Sequence, residues 1–221
     1  MTDQLREISQ AEVAAEGHLQ GLGSYAEPDW QAFMQWIRVV HDYLALADAG
    51  EPPPEDVWRD GLHQLGEARR QLANNADVVI RQHIEARTAG LAGAQHDLTA
   101  VIAALEDVQG AIHDAEEAEH LSHLVLKLKD LAEFAHEPSL GHAWHVVHGE
   151  KADSLIEQGI GNLGQYQVLT TLAAHGFASV EELHRRVATA NAQVTEAAQA
   201  LHYELQMHDE ARKYAEWPAF G

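Results

Sequence analysis

At 221 residues the chain is long enough to bury one substantial core, or two small ones, without crosslinks. It has no cysteine, which excludes disulfides, thiolate metal sites and thiol nucleophiles together. Thirty-five acidic residues face 14 lysines and arginines, giving a formal charge of −21; that field repels nucleic-acid backbones and anionic membrane surfaces.

The first stretch, MTDQLREISQAEVAAEG, lacks the basic and apolar regions of a signal peptide, so none is expected. It reads as an amphipathic helix with Leu5, Ile8, Ala15 and Leu19 on one side. GLGSYAEPD is a turn, and Pro28 suits an early helical position. The helix that follows carries Trp30, Phe33, Met34, Ile37, Val40 and Leu44 on one stripe, with Trp36 nearby. Three prolines at 52–54 end that pattern.

From Glu55 to Arg87 the apolar spacing is 4-3-4-3-4-3-4 through Trp58, Leu62, Leu65, Arg69, Leu72, Ala76, Val79 and His83, a heptad seam. RTAGLAGAQ (87–95) predicts a bend. A second seven-residue repeat crosses it at Ile84, Leu91, Leu98, Leu105 and Ile112, and its helix is expected to run from Gln95 to His136. Glu137–Gly141 breaks the chain before a helix containing HAWHVVH. GIGNLG is a further turn, and a short helix stops at Gly176. Ser179 and Glu182 form an S-x-x-E capping box for the last long helix. That helix repeats Val180, Leu183, Val187, Ala190, Val194, Ala197, Leu201 and Glu204. No run of 18 apolar residues occurs, so no membrane span is expected.

Histidine is the most conspicuous source of chemistry. Protonating all 16 would carry the formal charge from −21 to −5. With unperturbed values near 6.5, much of that change falls between roughly pH 7 and 5. Assembly state or solubility is therefore expected to change over that range, and an unchanged sedimentation profile from about pH 7.5 to 5 would refute this.

His142, His145 and His148 recur every three residues, but on a helix His142 and His148 diverge by about 120° and lie about 9 Å apart along the axis. One ion cannot gather all three, so two at most chelate together. The E-x-x-H pattern, half of a carboxylate-bridged di-iron site in helical bundles, occurs at Glu117/His120, Glu133/His136 and Glu181/His184. The first two lie 16 residues apart on one predicted helix, about 24 Å along its axis, and cannot share one centre. Glu204 and His208, at i and i+4 on the last seam, form a further candidate pair, with His83 as a possible partner. GIGNLG matches G-x-G-x-x-G, but the segment before it is helical and not a strand, which favours a helix stop over a dinucleotide site. The helix, glycine and serine-capped helix over 169–187 has only Arg185 and Arg186 for cations, so no nucleic-acid role is expected.

The fold expected is all-α: an elongated helical bundle with long heptad-patterned, coiled-coil-like helices. It divides into a hairpin over 1–50, a long-helix region over 51–136 and a helical region over 137–221, or these join as one domain. The function expected is that of a non-enzymatic structural or interaction protein: a scaffold, adaptor or virion-type component without a cofactor. It would form a homo-oligomer or larger assembly through Trp30, Phe33, Trp36, Trp58, Leu62, Leu65, Leu72, Leu98, Leu105 and Ile112. The alternative is a His/Glu metal-binding bundle carrying iron or zinc. A third reading, an acidic decoy for a basic partner, rests on charge alone; a halophilic or otherwise acidic proteome accounts for the same charge. Such a chain is expected to be soluble, in the cytoplasm or in an assembled particle.

Overall fold

The computed structural model describes residues 2–149 and 151–218, and every regular element among them is helical. In chain order these are α1 (Thr2–Ala14), α2 (Glu16–Leu19), α3 (Glu27–Asp48), α4 (Glu55–Gly90), α5 (Ala92–Ala111), α6 (Ala115–His136), α7 (Leu140–His148), α8 (Ala152–Ile160), α9 (Leu169–Ala174) and α10 (Val180–Glu216). Short 3-10 turns span Gln20–Ser24 and Leu163–Gln165. The chain is thus an all-α helical protein. Among the described residues no helix is long and apolar enough to cross a membrane.

The chain forms two compact units, residues 1–83 with 204–221 and residues 84–203. The division falls inside α4 and α10. In the first unit α1 packs on α3. Its buried residues include Leu5, Leu19, Phe33, Ile37, Trp58, Leu62, Leu65 and Leu72. In the second, α6 packs on α5, α7 and α8, and α5 also meets α9. Leu98, Leu105, Leu121, Leu128, Phe134, Leu172 and Val187 are buried there.

Helix ends follow local chemistry. Gly50 (φ 84°) and Gly176 (φ 82°) sit in the left-handed region and end α3 and α9. Each completes a paired closure in which the next residue's N–H also reaches back: Glu51 to the Leu46 carbonyl at 2.9 Å, and Phe177 to the Leu172 carbonyl at 3.0 Å. Ser179 accepts from the Glu182 N–H at 3.1 Å, and the Glu182 carboxylate accepts from the Ala178 N–H at 2.9 Å.

Two expectations about helix course are corrected. The helix expected to be continuous from Gln95 to His136 is two helices, separated at residues 112–114. Asp114 explains the break, since its carboxylate accepts from the N–H groups of Glu116 and Glu117 at 3.0 and 3.2 Å and so caps a new start. The α4 seam also changes phase. Trp58, Leu62, Leu65, Arg69, Leu72 and Ala76 are buried as the heptad requires, but Ile80 then replaces Val79, and His83 is half exposed. A helix of 3.6 residues per turn drifts about 20° per heptad against a 3.5 repeat, so the buried track advances by four. Ala198 replaces Ala197 on α10 for the same reason.

Candidate functional site

Two buried polar atoms without a partner lie close together in sequence at the start of α6, and His142 Nδ1 on α7 is a third in the second unit. Glu117 is the third residue of that helix and only 6% exposed. Its Oε2 accepts from the Asn162 amide at 3.4 Å, while its Oε1 is buried without a partner. One turn on, His120 is half-buried, and its Nδ1 is likewise buried and unpartnered. Asn162 belongs to GIGNLG (159–164), whose first two residues end α8 and whose last two open a 3-10 turn. Gly159, in the last turn of α8, packs closely on α6: a Cβ there would stand 3.0 Å from the Leu124 side chain and 3.6 Å from the His120 carbonyl. Tyr166 closes the group. Its phenol is pushed above its ordinary value by desolvation first, then by the Asp114, Glu117 and Glu116 carboxylates. The charge here is therefore strongly negative, partly balanced at Glu117 by the positive end of the α6 dipole.

The other E-x-x-H pairs are placed differently. Glu133 and His136 are exposed near the end of α6, which runs unbroken from Ala115 and keeps them from the Glu117/His120 pair. Glu181 and His184 line an open groove of about 270 Å³ with Ile160, Gly161, Gly164 and Val180. His184 Nε2 is 3.0 Å from the Glu157 carboxylate. The Ser179 hydroxyl, and then its own backbone N–H, hold Glu181 below the usual carboxylate range. Both hydrogen bonds favour the ionised form, so their stabilising effect on the start of α10 is present above that range and is lost on acidification through it.

In the first unit α4 and α10 bring together the last candidates. His83 Nδ1 lies 3.6 Å from the buried Glu204 carboxylate, and Tyr25 meets the His83 ring edge-on at 5.7 Å. His208 Nδ1 lies 2.6 Å from Asp77, which also pairs with Arg81 at 2.9 Å. These are two separate His–carboxylate pairs. Among the described residues no three His, Asp or Glu side chains gather closely enough to hold a metal ion by themselves.

The histidine triplet borders a packing face. Ala143 and Val146 of α7 are buried, Trp144 is 50% exposed, and the His145 and His148 rings each lie 5.3 Å from the Trp144 ring. His202 of α10 meets His148 edge-on at 5.9 Å. Among the residues expected to form an interface, Phe33, Trp58, Leu62, Leu65, Leu72, Leu98 and Leu105 are buried within the chain itself. Only Trp30, Trp36 and Ile112 keep exposed surface.

Two polar pairs, one fully buried and one part-buried, were not anticipated. Arg69, fully buried, forms an ion pair with Glu12 of α1 and donates to the Trp217 carbonyl at 3.1 Å and the Pro218 carbonyl at 3.4 Å. Asn191 on α10 donates to Asp153 at 2.8 Å. An arginine at a seam position was the available signal for the first; nothing in the sequence pointed to its partner 57 residues away.

Compared with known proteins, the chain matches no family model, no curated protein and no solved structure.

Proposed function

We propose that the protein is a non-enzymatic structural or interaction protein, a scaffold, adaptor or virion-type subunit that acts in a homo-oligomer or larger assembly. Its long heptad-patterned helices supply the framework. The observation that carries this reading is the exposure of Trp144 on a helix without charge. Residues 138–149 contain no Asp, Glu, Lys or Arg in a chain whose formal charge is −21. Two copies of so acidic a protein repel each other least where carboxylates are absent. Tryptophan is also the residue type that most often dominates binding at interface centres. The buried seam leucines cannot serve, since a side chain already enclosed by its own chain has no surface to offer a partner. The contact surface is accordingly assigned to the exposed side of α7.

The expected result is an oligomer in sedimentation velocity at neutral pH, dissociating at least about tenfold more readily in Trp144→Ser, as loss of a buried aromatic anchor requires. The helical circular dichroism should be unchanged, because Trp144 is half exposed in the single chain. A monomer in both proteins would end this reading.

A further inference from the structure

The start of α6 carries an inference independent of assembly. On a helix, residues three apart lie on one face with their Cβ atoms about 5–6 Å apart. A carboxylate oxygen and an imidazole nitrogen placed so can approach one ion at the roughly 2.0–2.2 Å typical of zinc ligands. Glu117 and His120 have this spacing, and each presents a buried atom without a partner, Oε1 and Nδ1. Leaving a buried polar atom unsatisfied costs about 1–3 kcal/mol, so two on adjacent turns of one face are unusual unless a third species lies between them. They are not hydrogen-bonded to each other. The charge of the surroundings identifies what would fit: Asp114, Glu116 and Glu117 occupy one turn, and no lysine or arginine occurs between Thr88 and Leu126. An anion or a neutral acceptor is disfavoured there; a cation is not. A mixed nitrogen and oxygen donor set suits zinc or iron(II) better than calcium or magnesium, which take oxygen ligands.

We propose that Glu117 and His120 bind a divalent transition-metal ion, zinc or iron(II), at the N-terminal end of α6. Asn162 acts as a positioning residue by donating to the second oxygen of the Glu117 carboxylate. Two strong protein ligands leave the remaining coordination positions to water or to weaker donors such as the Asn162 carbonyl. The site is therefore open and of moderate affinity, in keeping with the absence of a third His, Asp or Glu among the described residues close enough to ligate. The GIGNLG segment is what brings Asn162 to the carboxylate.

Isothermal titration of the full chain with zinc in a non-chelating buffer tests this, with His145→Ala/His148→Ala as the background so that the exposed imidazoles of α7 do not contribute. A one-to-one event is expected, weakened at least about tenfold by Glu117→Gln and by His120→Ala, the loss typical of removing a group that holds or orients a metal. If either variant loses its helical circular dichroism, Asn162→Ala decides. That residue is exposed, and its loss removes the amide that orients the Glu117 carboxylate, so affinity should fall about tenfold. No one-to-one binding, affinity indifferent to both Glu117→Gln and His120→Ala, or affinity unchanged in Asn162→Ala overturns the proposal.

Discussion

Arg69→Met should destabilise the protein by about 3–5 kcal/mol, because it leaves the Glu12 carboxylate buried without its counter-ion. Arg69 has no exposed surface, and Glu12 is nearly as deeply enclosed. The guanidinium also lies over the Trp217 ring at 5.6 Å and donates to the Trp217 and Pro218 carbonyls just after α10, so the substitution releases that segment as well. Taking both charges out of water costs several kcal/mol per ion, and their attraction only partly offsets this in so enclosed a site. Replacing both partners should therefore be far milder. Arg69→Met/Glu12→Leu is expected to recover most of the loss, and the two single changes should be strongly non-additive. Urea denaturation of the four proteins at neutral pH measures this. A single variant within about 1 kcal/mol of wild type would show that the pair carries no structural role.

Trp58→Ala is the second large effect, about 3–5 kcal/mol. The indole is 1% exposed, donates from Nε1 to the Ser9 hydroxyl at 2.9 Å and meets Tyr43 edge-on at 6.5 Å. Trp58→Phe retains most of the apolar contact and loses the hydrogen bond, at a cost of about 1–2 kcal/mol. The concentration dependence is more informative than either magnitude. A residue enclosed by its own chain lowers the denaturation midpoint by the same amount at any protein concentration. A residue at a subunit interface does so in a concentration-dependent manner, by mass action. Trp58 should behave in the first way, although its place in a heptad seam made it a natural interface residue. A midpoint loss that varies over a hundredfold range of concentration would assign the α4 seam to a subunit contact after all.

Much of the helix map could be read from residue order because its causes are local. Proline at 52–54, glycine at 50 and 176, and serine at 179 act on their own backbone within one turn, and the observed helices end or begin there. The break before α6 went unread because Asp114 was one acid among seven in its region, and capping depends on which carboxylate turns back to the helix. Apolar periodicity similarly indicated the buried side of α4 as far as Ala76. The later drift was hidden because a seven-residue repeat and a 3.6-residue turn differ too little to separate over three heptads.

The candidate site was legible only as a set of motifs. Three E-x-x-H pairs are equivalent in sequence, yet the structure leaves Glu133/His136 exposed, sets Glu181/His184 on an open groove and buries Glu117 beside a loop from a distant part of the chain. Spacing along a helix decides which side chains share a face, and that was enough to exclude one ion for His142, His145 and His148. Composition likewise determined the acidity and the lack of thiol chemistry, and apolar periodicity the all-helical character. Only tertiary structure decided which polar groups lose water, because burial depends on what another helix brings against them: Glu12 against Arg69, Asn162 against Glu117, and Asp77 against His208.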